Sequence, residues 1–127
     1  MIAKLQCTVI DCPDPAALAA FYAAVLGWRV DADDSDPDWV WLTGPAGGPR
    51  LAFQRAEDHR PPRWPDPDHP QQFHLDFDVE RADLERAHRE VLALGATFLR
   101  DSGGGTCGFQ VFADPAGHPF CLCYGQG

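Results

Sequence analysis

The chain has 127 residues, an ordinary single-domain length able to bury roughly two-thirds of the surface its unfolded form exposes, so no second large domain fits. Its 10 basic and 19 acidic residues give a formal net charge of -9, and the Arg and Lys are scattered, which excludes a nucleic-acid protein that binds through a basic patch. The longest apolar run, AALAAFYAAVLGW, is too short and too rich in alanine to span a bilayer, and no signal peptide opens the sequence, so a cytoplasmic protein without membrane contact is expected.

The first strand candidate is KLQCTVID. It is followed by CPDPAALAAFYAAVLGW, a predicted helix with Asp14 as N-cap and Pro15 at its first position. Leu18, Phe21, Tyr22, Val25 and Leu26 fall at i, i+3, i+4, i+7 and i+8, one apolar stripe stopped by Gly27. Three short segments come next, WRVDA, DWVWLTG and PRLAFQRA, separated by turn residues and all plausible strands. Trp39 and Trp41 alternate on one face of their strand, so both belong either to the core under the helix, the commoner outcome, or to a cavity wall. Residues 57–71 then carry five prolines in fifteen positions, which rules out a helix or a central strand and predicts a connector.

Beyond the connector the same order returns. QQFHLDFDV alternates polar and apolar residues strictly, the mark of a half-buried strand. ERADLERAHREVLALG is a helix with Leu84, Ala87, His88, Val91 and Leu92 on one stripe, which makes His88 a structural histidine. ATFLRD, GFQVFAD and PFCLCYG are three further strands, and the glycine run at 103–105 reads as a flexible hairpin or lid, since no helix follows it. The two halves also match in position: Cys7 to His74 and Gln54 to Cys121 are both 67 residues, VLGW and ALGA end the helices at a shift of 68, and WVWL precedes FQVF by 70. The expected fold is α+β, two tandem βαβββ modules at 1–56 and 72–127, together one domain over 1–127.

At this point the chain resembles the vicinal oxygen chelate superfamily, which includes glyoxalase I, extradiol dioxygenases and bleomycin-resistance proteins. DPAALAAFYAAVLGW at 14–28 is similar to its helical signature, and FADPAGHPFCLC at 112–123 to its closing strand. The more particular likeness is to a glyoxalase-like branch common in bacteria. The resemblance implies curled mixed sheets around a cavity with helices outside. It also implies four concave positions that hold a divalent ion in metal-bearing relatives, usually as His, Glu or Gln, His and Glu. Carried over by motif, these are Cys7, Gln54, His74 and Cys121. Relatives often pair modules between chains, which implies a homodimer.

With Phe73, Leu75, Phe77 and Val79 packed on the helix, Gln72, His74 and Asp76 face the inside of the curl. His74 is then either a ligand contact or a histidine held by Asp76 or Gln72. Cys7 and Cys121 read as small wall residues, or as a thiol nucleophile should His74 lower its pKa. The five cysteines at 7, 12, 107, 121 and 123 form no CxxC pair or regular framework, which points to reduced thiols. Cys, His and Cys suit zinc among the common ions, but no short ligand spacing supports it, so no resident metal or other cofactor is expected. Trp64 lies in the connector beside Arg63, where a large ring has no secondary-structure reason to be. It either tacks the connector to the sheet or forms a stacking plate at a cavity mouth. The expected function is binding of a small molecule through Cys7, Gln54, Trp64, Gln72, His74, Asp76 and Cys121. The alternatives are a metal-independent lyase or isomerase with His74 as general base, and a divalent-metal glyoxalase or dioxygenase.

Overall fold

The computed structural model describes residues 1–125, so the last two residues of the second expected module lie outside the described residues. The chain forms two compact units, Met1–Arg60 and Pro61 onward. Among the described residues no helix is long and apolar enough to cross a membrane.

The first unit contains β1 (Cys7–Cys12), α1 (Pro15–Leu26), β2 (Arg29–Asp36), β3 (Trp39–Thr43) and β4 (Arg50–Arg55). Helix α1 starts where the sequence places it. The Asp14 carboxylate accepts from the Ala17 N–H at 3.2 Å, and Pro15 occupies the first turn, where a missing N–H costs nothing. Gly27 closes the helix with φ 66, and its N–H bonds the Ala23 carbonyl. The sheet runs β1-β4-β3-β2, with β1 parallel to β4 and the other pairs antiparallel. Its helix face carries Ile10, Val40, Leu42 and Phe53, all buried, and Tyr22 of α1 stacks on Phe53 at 5.7 Å.

The tryptophans lie on the other face, the less common of the two outcomes the sequence leaves open. Trp41 pairs with Ala52 and Val40 with Phe53, so Val40 takes the position under α1 and the rings of Trp39 and Trp41 point away from it. They meet edge to face at 5.3 Å. Arg50 lies 3.6 Å from the Trp41 ring centroid and 3.7 Å from Asp31. The Trp41 ring is thus held by a cation, and Trp39 packs on Trp41.

The second unit repeats the order with β5 (Leu75–Asp78), a short 3-10 turn at Arg81–Asp83, α2 (Leu84–Ala93), β6 (Thr97–Asp101), β7 (Gly108–Ala113) and β8 (Pro119–Tyr124). Its sheet runs β5-β8-β7-β6, with β5 parallel to β8. The helix face is aromatic. Phe112 and Phe120 stack at 5.4 Å, Phe77 sits 5.8 Å from Phe120, and His88 packs between Phe98 and Phe112 with its Nδ1 2.9 Å from Gln110 Oε1.

β5 is shorter than the alternation suggests. Its ladder begins at Leu75, opposite Phe120, and the residue before Phe120 is Pro119, which has no N–H with which to extend pairing. Phe73 therefore falls outside the strand and is 61% exposed, not packed beneath the helix as expected. Leu92 is likewise more exposed than its place on the stripe implies, at 39%.

Candidate functional site

Strand β8 sets the site. Its side chains alternate, with Phe120, Leu122 and Tyr124 toward α2 and Cys121 and Cys123 toward the opposite face. Asp76 of β5 pairs with Cys121 and so shares that face. His74, two residues earlier, reaches back so that its Nε2 lies 3.2 Å from Asp76 Oδ1. His74, Asp76 and Cys121 each offer a donor atom, all within 4.8 Å of one another.

The connector supplies the fourth wall. Residues 63–69 form a tight loop, with the Arg63 N–H bonded to the His69 carbonyl at 2.7 Å and the His69 N–H to the Asp66 carbonyl at 3.2 Å. That loop lays Trp64 against Val111, Cys121 and Cys123. The cation over its ring is Arg100, 4.9 Å from the centroid, while neighbouring Arg63 is exposed. Between Trp64 and the His74–Asp76 pair lies a concavity of about 390 Å³, also lined by Gln71, Phe109 and Pro119. Gln71, rather than the expected Gln72, belongs to it. The strict alternation ends at Leu75, so counting back from Asp76 by twos fails before Gln72.

Electrostatics on this face are set by Asp76. Burial, followed by the charge of Asp76 and its hydrogen bond, pushes the Cys121 thiol up to about 12. Burial and the same carboxylate also raise Cys123. Both are neutral thiols at physiological pH, with the character of wall residues rather than nucleophiles.

Cys7 and Gln54 lie in the first unit, on the same sheet face as Trp39 and Trp41. They are not neighbours: Cys7 pairs with Arg50, and Gln54 pairs with Asp11. Four residues of strand, about 13 Å, separate their levels. The register also shows which residue corresponds to Cys121. His74 precedes the Asp76–Cys121 pair by two, and Cys7 precedes the Val9–Ala52 pair by two, so the counterpart of Cys121 is Ala52 and Gln54 answers to Cys123. Equating Gln54 with Cys121 by a constant shift is displaced by two residues, because the two units differ in loop length ahead of their last strands.

The family is decided by the sequence as a whole. A profile described as "Glyoxalase-like domain" matches residues 7–123. The chain belongs to this glyoxalase-like family. None of the curated proteins matches it. Among solved structures, it is similar to a glyoxalase/bleomycin resistance protein/dioxygenase family enzyme from Burkholderia phytofirmans PsJN, at 20% identity and TM-score 0.76 over 96% of this chain and 98% of that one. It is also similar to a glyoxalase/dioxygenase from Nostoc punctiforme, at 21% identity and TM-score 0.71 over 97% and 91%. A third, the fosfomycin resistance protein FosX from Mesorhizobium loti, has 17% identity and TM-score 0.70 over 99% and 95%. These likenesses establish the fold, that of the vicinal oxygen chelate superfamily.

That superfamily's divalent ion is a poor match to the residues present. Of the four positions, Ala52 has no donor atom and Cys121 offers a thiol held protonated where relatives carry a carboxylate, so a hard ion such as manganese or iron lacks its oxygen ligands. The residues that could hold an ion are His74, Asp76 and Cys121, a mixed set of the kind zinc accepts. Binding would require the Cys121 thiol to give up its proton.

Proposed function

We propose that this glyoxalase-like protein binds a small organic molecule on the pocket face of its second sheet, without a resident metal. The observation that carries the reading is the convergence of a packed aromatic plate, Trp64, with a hydrogen-bonded polar pair, His74 and Asp76, around one concavity. Small-molecule sites have this composition, apolar walls with a few placed polar groups that fix orientation. We place the protein in the bacterial cytoplasm as a homodimer, since each sheet ends in edge strands that a second copy can cover.

One observation favours a second reading, a metal-independent lyase or isomerase. Asp76 lies on His74 Nε2. A carboxylate accepting from Nε2–H leaves Nδ1 with its lone pair, the state a general base needs.

The test is a thermal-shift screen of metabolites, run with and without divalent ions and chelator. Stabilisation that survives chelator and disappears in His74→Ala and Trp64→Ala is the expected result. Stabilisation that requires metal would replace the proposal with the zinc-type set of His74, Asp76 and Cys121, and consumption of a hit by the wild type but not by His74→Ala would establish the second reading. Sedimentation should give about twice the 13.9 kDa chain mass.

A further inference from the structure

The charge of the pocket lining selects the chemistry of its occupant. Asp76 is the one carboxylate among the lining residues, and none of them is Lys or Arg. The nearby guanidinium of Arg100 is placed over the Trp64 ring and is not part of the lining. Gln71 also belongs to the lining, and its side-chain oxygen is buried without a hydrogen-bond partner among the described residues. A buried acceptor left unsatisfied is unfavourable, so a ligand N–H or O–H that reached it would recover that loss. The rest of the lining is largely apolar, with the Trp64 ring packed against Val111 and with Phe109 and Pro119 also present.

We infer that the occupant is a flat aromatic molecule, neutral or cationic, carrying an N–H or O–H donor, and that Asp76 disfavours anionic ligands. The inference rests on the proposed function of the same pocket. It reaches further, because an aromatic plate alone would take anions and cations alike. The net charge of -9 acts in the same direction, lowering the local concentration of anions before contact. Burial first, and then the Asp76 charge and its hydrogen bond, keep the Cys121 thiol of the lining neutral, so it adds no second charge to the pocket.

Three indoles that share one ring and differ in charge test the inference: tryptamine, indole and indole-3-acetate, titrated calorimetrically into the full chain. The titrations are run at about pH 8, where the tryptamine amine is cationic and the indole-3-acetate carboxylate anionic. Tryptamine should bind about tenfold more tightly than indole-3-acetate, the scale of one half-exposed charge acting with opposite sign on the two ligands. Asp76→Asn should narrow that ratio to about twofold by removing the charge while keeping the shape, and Trp64→Ala should weaken all three. Equal affinities, or a preference for indole-3-acetate, combined with weakening by Trp64→Ala would overturn the charge inference and leave the pocket reading standing. Binding indifferent to Trp64→Ala would overturn both. Failure of all three indoles at millimolar concentration would overturn the ligand class alone, since the metabolite screen tests the proposed function independently.

Discussion

Three neighbouring residues, Phe73, His74 and Phe77, should give three different phenotypes when cut to alanine. The Phe77 ring lies 5.8 Å from that of Phe120, which is fully buried, while Phe77 itself is half-buried. Removing a wholly buried Phe costs about 3–5 kcal/mol, and partial burial scales this to about 2–3 kcal/mol. For a domain of this size that corresponds to a fall in Tm of about 8–12 °C. Phe73, 61% exposed, has little burial to lose, so Phe73→Ala should stay within about 0.5 kcal/mol. His74 contacts Asp76 with side chains 39% and 59% exposed. Water screens such a pair, and His74→Ala should cost less than about 1 kcal/mol while removing ligand stabilisation. Urea denaturation of the three variants beside the wild type, followed by circular dichroism, measures all of this in one series. If Phe73→Ala cost as much as Phe77→Ala, the strand would continue past Leu75 and Phe73 would be covered. If His74→Ala did so, the histidine would be a core residue, and the pocket face would be misassigned by one position.

Asp14→Ala should cost about 1 kcal/mol by removing the acceptor for the Ala17 N–H at the start of α1, read as a lower urea midpoint at unchanged slope. Iodoacetamide at neutral pH should modify exposed Cys107 first and the buried Cys12, Cys121 and Cys123 last, followed by peptide mass mapping. Because Cys121 stays protonated in the fold up to about 12 while an unfolded thiol ionises near 9, its contribution to stability is full at neutral pH and is lost as pH rises between about 9 and about 12. The Gly103 N–H, then the Gln110 side chain, hold the Asp101 carboxyl below the usual range. Its contribution is therefore present at neutral pH and lost as pH falls through that lowered pKa, and Asp101→Asn should flatten the acid limb of the stability profile.

Much of the fold was legible because the signals were local. Asp14, Pro15 and Gly27 each act within one turn of α1, and the stripe Leu18, Phe21, Tyr22 needs only helical spacing to find its face. The places that resisted depend on contacts between distant residues. Which side of β3 carries its tryptophans is decided by pairing with β4 and by Arg50 arriving over Trp41, and no pattern inside WVWLT contains that information. The end of β5 is set by Pro119, 44 positions beyond Leu75 in the chain. Alternation alone would have carried the strand through Phe73.

The site divides along the same line. Asp76 takes its face from the two-residue repeat of β5, whereas His74 lies just before that strand and joins Asp76 through the contact of its Nε2 with Oδ1. Cys121 faces them because β8 pairs with β5 at Asp76. Gln54 was placed by counting a fixed shift along the chain, and counting fails wherever a loop changes length: Cys7 to Ala52 spans 45 residues, whereas His74 to Cys121 spans 47. Register is set by backbone hydrogen bonds and does not accumulate that error. Its consequence is chemical. With Ala52 opposite Val9, the first unit supplies no oxygen or nitrogen donor at the position that answers to Cys121, whatever the family pattern holds there. The polar groups that converge in the second unit, His74, Asp76 and Gln71, are ones that a neutral or cationic hydrogen-bond donor can use without a metal between them.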